Sequence, residues 1–208
     1  NIPVLCLGVV YKKDLNVCYE NNITITVNSK EYFSEIKELN IPLKIHLKLN
    51  TGMNRLGLKD VNDVNDCIKW IEESSYQLEG IYTHIFNPNS EFDTNRQFEK
   101  FEKLCENIDL SKVKIVHVAA SDTLTKYPKP QYVNGVRLGI IMYGFNDILN
   151  LKSTFSLYST IAQVNNITPT EKVGYNGLYI PKQDEHIGVV QIGYADGIIR
   201  AYTGNNVF

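Results

Sequence analysis

Runs of apolar, mostly β-branched residues recur along the first 150 residues, and stretches with apolar residues at helical spacing separate them. Short apolar runs bounded by turn residues predict buried strands, whereas apolar positions three and four apart predict amphipathic helices. Strands that alternate with helices in this way are typical of βα units around a parallel sheet. Six strands are predicted, at residues 4–10, 23–27, 43–50, 78–85, 113–119 and 136–143.

The predicted helices have recognisable start signals. Ser29 stands just before a helix with Phe33 and Ile36 on its apolar face, and its side chain can cap the first turn. Farther along, Thr94 and Gln97 match the capping box, in which a Thr and a Gln three residues later satisfy free backbone N–H groups. We therefore expect this helix to begin at about Thr94.

The pattern changes after Gly144. Residues 151–208 contain short strand-like runs at 160–164 and 187–192, separated by Pro and Gly turns, with no convincing amphipathic helix. The earlier part repeats too evenly for a small dinucleotide-binding unit, and no G-x-G-x-x-G run follows its first strand. The predicted fold class is α/β, with a partial (β/α)8 TIM-type barrel over residues 1–150 and the start of a mostly-β C-terminal domain over residues 151–208.

Composition narrows the function classes. The 208 residues carry a formal net charge of −2, so the chain lacks the basic field that a nucleic-acid partner requires. No apolar run approaches the roughly 18 residues of a membrane span, and no signal peptide opens the chain, so we expect a cytoplasmic protein. No His, Asp or Glu cluster has metal-ligand spacing, and we expect reduced, buried thiols at Cys6, Cys18, Cys67 and Cys105.

Two cations lie near the end of the third predicted strand. Lys48 alternates with Leu47 and Leu49, so its side chain is predicted to point into the barrel if the leucines pack under the helices. A buried lysine must be paired, neutralised or modified, whereas a lysine at a strand edge is simply solvated. Arg55 follows a glycine-bearing turn, where an arginine is either an anion ligand or a solvated charge.

Other polar residues follow later strands, and each has an ordinary structural alternative. His84 is suited to stacking on an aromatic ligand or to acid–base work, but a single histidine is often a satisfied structural group. Ser121 suits either a phosphate or a helix cap, and Gly139 allows close backbone approach to a ligand. Tyr194 is one of 13 tyrosines, most of which are expected to pack. The remaining histidines are interpreted as structural: His46, His117 and His186.

Six runs, taken together, carry more information than any residue alone. They read HLKLNTGMNRLG (46–57), GIYTH (80–84), HVAAS (117–121), VRLGIIMYG (136–144), KVGYNGLY (172–179) and IGYADGIIR (192–200). In this order they resemble the alanine racemase family, pyridoxal 5'-phosphate enzymes of fold type III. The resemblance implies interconversion of L- and D-alanine by two-base proton transfer on an aldimine of the cofactor. A serine or broad-specificity racemase and a non-catalytic, cofactor-binding or purely structural relative remain as alternatives.

The resemblance also implies a role for each matched residue. Tyr194 matches the catalytic base, and Arg55 matches the arginine that contacts the cofactor's phenolic oxygen and the substrate carboxylate. Lys48 matches a lysine that carries a carbamate in many members and orients that arginine. His84 matches the histidine beside the pyridine ring, and Arg137 matches the arginine that faces the pyridine nitrogen. The positions that match phosphate-binding residues are Ser121, Gly139 and Ile140.

The chain departs from the family pattern in ways that bear on its activity. Asn50 stands where aspartate is usual, Ala120 where asparagine is usual, and Leu138 where proline is common, which leaves the substrate preference open. The family's cofactor-bearing lysine, in a Lys-x-Asx-Ala-Tyr-Gly setting, has no match before Lys48. We therefore expect the chain to be an inactive fragment of a competent racemase. This fragment is also expected to lack the end of the β-domain. The resemblance further implies a homodimer in which Tyr194 acts in trans.

Overall fold

The computed structural model describes residues 2–145 and 148–202. The chain divides into two compact units, Asn1–Thr154 and Phe155–Phe208. The domain limits expected from the sequence, 1–150 and 151–208, stay a prediction, and residues 203–208 of the second domain lie outside the described part.

The first unit is built around a parallel sheet whose six strands lie side by side in chain order. Parallel neighbours in chain order, joined through helices, are the topology of a (β/α) barrel, so the predicted partial barrel is confirmed. The strands are β1 (Val4–Leu5), β2 (Ile23–Val27), β3 (Lys44–Lys48), β4 (Gln77–Tyr82), β5 (Ile115–Ala120) and β6 (Gly135–Arg137).

The described part of the first unit adds these α-helices to the sheet: α1 (Leu15–Glu20), α2 (Lys30–Ile36), α3 (Val61–Glu72), α4 (Glu91–Leu104) and α5 (Ser121–Lys126). Short 3-10 helices cover Lys12–Asp14, Lys37–Leu39, Leu110–Lys112 and Ile140–Tyr143. The cap predicted at Ser29 is confirmed, because its Oγ accepts the N–H of Tyr32 at 3.1 Å. The strand predicted over 136–143 is shorter than expected and gives way to the last of these 3-10 helices.

The predicted start of α4 is wrong. The helix begins at Glu91, where Ser90 is the cap and its Oγ accepts the N–H of Asp93 at 3.2 Å. Thr94 and Gln97 lie inside the helix with fully buried side chains, so they are not available for capping. Ser90 and Asp93 have the same three-residue spacing one turn earlier; Ser90 caps the helix, while the Asp93 carboxylate accepts from Asn87 Nδ2 at 2.9 Å.

The core of the first unit lies between the sheet and its helices. Side chains of β2 and β3 at alternate positions are fully buried: Ile25, Val27, Ile45 and Leu47. They belong to one apolar cluster with residues of α2, α3 and α4, namely Phe33, Ile36, Val64, Cys67 and Phe101. Because side chains alternate along a strand, His46 and Lys48 project to the other face of the sheet, the interior of the partial barrel. The cysteines are free thiols, buried at three positions and half-buried at Cys6.

The second unit contains an antiparallel pair, β7 (Ile161–Ile167) and β8 (Glu185–Val190). Among the described residues of this unit, 3-10 helices cover Tyr175–Gly177, Tyr194–Asp196 and Arg200–Tyr202. The β character predicted for this part of the chain is confirmed. Among the described residues of both units, we find no helix with the length and apolar character needed to cross a membrane.

Candidate active site

The carboxyl ends of the barrel strands surround one cleft of about 690 Å³. Polar residues from β3, β4, β5 and β6, or from the loops that follow them, reach this cleft because the carboxyl ends of parallel strands lie at one end of a barrel. Seven of the predicted site residues line it: Lys48, Arg55, His84, Ser121, Arg137, Gly139 and Ile140. Tyr194, the eighth, belongs to the second unit.

The loop after β3, residues 49–57, has a fixed backbone. The Oδ1 of Asn50 accepts the N–H groups of Gly52 and Asn54 at 3.2 and 3.0 Å. The loop closes where Leu58 N–H donates to the Lys48 carbonyl at 2.9 Å, and Gly57 provides the required φ of +126°. We call this segment the β3 loop; it carries Arg55, whose side chain is exposed at the cleft.

The cleft concentrates positive charge. Lys48 is only 6% exposed, and its Nζ lies 5.5 Å from the centre of the Tyr82 ring. Burial lowers the pKa of Lys48, and the charges of Arg55 and Arg137 lower it further. Within residues 2–145 and 148–202, none of these three cations forms an ion pair with a carboxylate. The arrangement therefore suits an anion, and the predicted inward orientation of Lys48 is confirmed.

Arg137 lies at the end of β6 with its guanidinium held on several sides. Its Nη1 donates to the His117 carbonyl at 2.7 Å, and its Nη2 donates to the Thr83 carbonyl at 2.6 Å. The guanidinium also lies 5.1 Å from the centre of the Tyr82 ring. Burial lowers the pKa of Arg137 to about 10, so the side chain stays charged at neutral pH.

Sequence reasoning missed the role of His117 and His46. The Nη1 of Arg137 lies 2.7 Å from His117 Nδ1, and a guanidinium can only donate, so Nδ1 accepts and the proton of the neutral ring is on Nε2. His117 Nε2 lies 2.8 Å from His46 Nδ1 and donates to it. The single N–H proton of the neutral His46 ring is therefore on its Nε2, which lies 3.6 Å from Glu79 Oε2. The period-two alternation of β3, which puts His46 on the same face as Lys48, was the available signal.

Both imidazoles are kept neutral by their surroundings. Burial is the main cause that lowers the pKa of His46, and burial followed by the Arg137 charge lowers the pKa of His117. The pKa of His84 is also lowered, first by burial and then by Arg137, Arg55 and the Lys48 ammonium. His84 therefore lies in the cleft as a neutral ring, with its Nδ1 3.4 Å from Arg137 Nη2.

A group of donors lies where α5 begins. Ser121 is the first residue of α5, and its Oγ accepts the N–H of Gly139 at 3.0 Å rather than capping the helix. Ile140 opens a 3-10 helix, so its own N–H has no acceptor within that helix. The Ser121 hydroxyl and the Ile140 N–H are donor types that bind phosphate, whereas the Gly139 N–H is used by Ser121.

Tyr194 opens the 3-10 helix Tyr194–Asp196 that follows β8, and it is 69% exposed. Its hydroxyl oxygen accepts a hydrogen bond from the Nε of Arg200 at 2.9 Å. The Asp196 carboxylate accepts the N–H of Gly193, the residue before this short helix, at 2.9 Å. A cation therefore lies beside the phenolic oxygen.

Comparisons with known proteins identify the family. Residues 1–147 match the family model "Alanine racemase, N-terminal domain", and residues 154–208 match "Alanine racemase, C-terminal domain". An alanine racemase of Streptococcus pyogenes serotype M6 matches this chain with 34% identity. The match covers 98% of this chain and 58% of that protein. The solved alanine racemase of Clostridium difficile 630 has a TM-score of 0.85 at 29% identity, over 96% of this chain and 56% of that structure.

A histidine racemase from Leuconostoc mesenteroides subsp. sake shares the fold, with a TM-score of 0.77 at 23% identity over 94% of this chain and 56% of that structure. The chain thus spans somewhat more than half the length of the relatives that it matches. With family models matched over both units, the chain belongs to the alanine racemase family.

Proposed function

We propose that the protein to which this chain belongs is a pyridoxal 5'-phosphate-dependent racemase that interconverts L- and D-alanine. The observation that carries the proposal is the cleft itself, in which Lys48, Arg55 and Arg137 lie together without a carboxylate partner among the described residues. A phosphorylated, anionic cofactor and a substrate carboxylate supply the negative charge that this cluster lacks.

The cleft residues fit the cofactor. Pyridoxal 5'-phosphate, when bound, supplies an electron sink for a carbanion at the substrate Cα. Ser121, Gly139 and Ile140 would hold its phosphate, and His84 would lie beside its ring. Arg137 would face the pyridine nitrogen, where it can donate but cannot accept a proton, so that the nitrogen stays unprotonated and the sink stays modest.

Lys48 is proposed to carry a carbamate. Burial and two neighbouring arginines favour its neutral amine, which is the form that attacks CO₂. The amine nitrogen forms a bond to the carbon of CO₂, one C=O electron pair moves to oxygen, and the nitrogen releases one proton. The carbamate oxygens then carry a negative charge, so the side chain becomes a partner for Arg55. The carbamate would thereby orient Arg55 toward the substrate carboxylate.

Tyr194 is proposed as the base that removes the Cα proton of L-alanine, while Arg55 holds the carboxylate. Racemisation needs a second base on the other face of the substrate, and the family resemblance assigns that role to a lysine without a match before Lys48. In the proposed homodimer Tyr194 serves the cleft of the partner subunit. In this proposal Tyr194, a residue of the second unit, acts on the cleft in the barrel of the partner subunit.

The proposal is tested with the protein containing this chain, supplied with pyridoxal 5'-phosphate and L-alanine. We expect D-alanine to form, and we expect Tyr194→Phe to lower kcat by about a thousandfold or more, as loss of an acid–base group does. Tyr158→Phe is the matched control, because Tyr158 is another exposed tyrosine of the second unit and lies outside the six runs that resemble the family. Unchanged turnover in Tyr194→Phe would remove Tyr194 from the mechanism.

The same assay decides the substrate. L-serine and L-histidine are compared with L-alanine, since the histidine racemase from Leuconostoc shows that the fold accommodates another racemase. We expect the highest kcat/KM with alanine. Cofactor binding without turnover of any amino acid would instead indicate a non-catalytic relative.

A further inference from the structure

We propose that Gln97 is a positioning residue whose single amide group fixes both loops that carry Arg55 and His84. This inference rests on the function proposed above, because those two residues matter for the reaction only if the cleft binds cofactor and substrate. Gln97 lies on α4, outside the cleft, and is only 2% exposed. Its side chain reaches the β3 loop and the segment after β4, residues 83–90, which we call the β4 loop.

Each polar atom of the amide is used. The Nε2 of Gln97 donates to Thr51 Oγ1 in the β3 loop at 2.7 Å and to the His84 carbonyl in the β4 loop at 3.1 Å. Its Oε1 accepts the N–H of Phe86 at 2.9 Å. Two protons and one carbonyl oxygen thus tie two different loops to one helix.

The bond to Thr51 continues as a chain with defined donors. Thr83 Oγ1 donates its one proton to the Leu49 carbonyl at 2.8 Å, so it must accept in its 2.8 Å contact with Thr51 Oγ1. Thr51 therefore donates to Thr83 and accepts from Gln97. The amide at one end and the Leu49 carbonyl at the other fix the direction of every hydrogen bond in this chain, and reversing one requires breaking the next.

The backbone of the β3 loop is shaped around the same side chain. A Cβ at Gly52 would lie 3.3 Å from Gln97 Cδ, closer than an ordinary contact. Gly52 also donates to Asn50 Oδ1 within the loop. The amide of Gln97 therefore lies directly against loop backbone, with no room for an intervening side chain.

The points of contact are next to the groups that the proposed reaction uses. His84 is itself bonded through its carbonyl, and the neighbouring Thr83 carbonyl accepts the Nη2 of Arg137 at 2.6 Å. Thr51 lies in the loop that carries Arg55. One buried amide thus sets the relative position of a ring-side histidine, a carboxylate-binding arginine and the arginine at the pyridine nitrogen.

The test compares Gln97→Met with Phe101→Leu. Met has a similar length but makes none of the three hydrogen bonds, whereas Phe101→Leu removes core packing one turn farther along α4. In Gln97→Met we expect amide hydrogen exchange in the β3 and β4 loops to rise, and KM and the pyridoxal 5'-phosphate dissociation constant to rise about tenfold or more. Phe101→Leu is expected to lower the unfolding midpoint without these effects.

Gln97→Glu gives an independent measurement should the Met variant fail to fold. Its carboxylate keeps the acceptor for Phe86 N–H but can donate neither to the His84 carbonyl nor to Thr51 Oγ1, so we expect loop exchange and KM to rise in this variant as well. Exchange and KM values no different from those of Phe101→Leu would overturn the inference. Absence of racemase turnover in the unaltered protein would instead overturn the proposed function, while the exchange measurement would still decide the role of Gln97.

Discussion

In the barrel interior, the hydrogen bonds of Arg137 determine which ring nitrogen carries the proton in two buried histidines. Arg137 can only donate, and this property assigns one tautomer to His117 and, through it, one to His46. Both rings are neutral because burial opposes a positive charge on either of them. The folded state therefore binds fewer protons at these two sites than the unfolded chain does in mildly acidic solution.

This difference predicts the pH dependence of stability. The folded pKa values lie below the unfolded value of about 6.5, so the free energy of unfolding falls as the pH drops below that value, by about 1.4 kcal/mol per pH unit for each imidazole. Urea unfolding between pH 7.5 and 5 measures the slope. His46→Gln is expected to be less stable at pH 7.5 and to have a shallower slope, whereas the exposed His186→Asn is the control. Parallel curves for His46→Gln and the unaltered chain would contradict this account.

At the scale of elements, the period of the apolar pattern predicted the six strands and the inward orientation of Lys48, because burial of one strand face depends on local sequence. The predicted start of α4 was wrong because two Ser/Thr-x-x-acid/amide pairs lie within one turn of each other, and tertiary burial of Gln97 decided between them.

The position of Gln97 was not predictable, since its partners Thr51 and His84 come from other loops. The family resemblance grouped Ser121 with Gly139, but only the fold shows that the two residues bond to each other.

The β3 loop supports a prediction about its last glycine. Gly57 has a φ of +126°, and a Cβ there would lie 2.7 Å from the backbone nitrogen of Asn50. We expect Gly57→Ala to lower the free energy of unfolding by about 2 kcal/mol or more, through left-handed strain and overlap with backbone. Gly8→Ala is the matched control, because nothing lies within 4 Å of its Cβ position. Equal stability of the two variants in urea would show that the loop backbone adjusts.

At the scale of the whole molecule, the residues of the proposed site are divided between two units: the cationic cleft belongs to the first and Tyr194 to the second. Family resemblance alone assigned Tyr194 to the same site as the cleft residues. No pattern within one chain specifies which copy of the chain Tyr194 serves. The dimer in which Tyr194 acts in trans stays a prediction.

Mixed dimers test it. Tyr194→Phe and Arg55→Ala each remove one group from every site, so each variant alone is expected to be inactive. Random pairing of two such chains in a symmetric dimer leaves one intact site in each mixed dimer, or about a quarter of the unaltered activity. We expect co-refolded variants to regain that activity and separately refolded variants, mixed afterwards without exchange, to regain none. No recovery after co-refolding would indicate that each chain supplies its own tyrosine.

The directed contacts from Arg137 through His117 to His46 also make this row of rings a poor proton wire. A proton that entered at His46 would have to leave through His117 Nδ1, but that nitrogen is already occupied by an N–H of a guanidinium that does not give it up. Proton hopping from the Glu79 end of the barrel therefore stops at His117 and does not reach the cleft. During the proposed reaction, this row of rings is therefore closed to proton exchange between the cleft and the Glu79 end of the barrel.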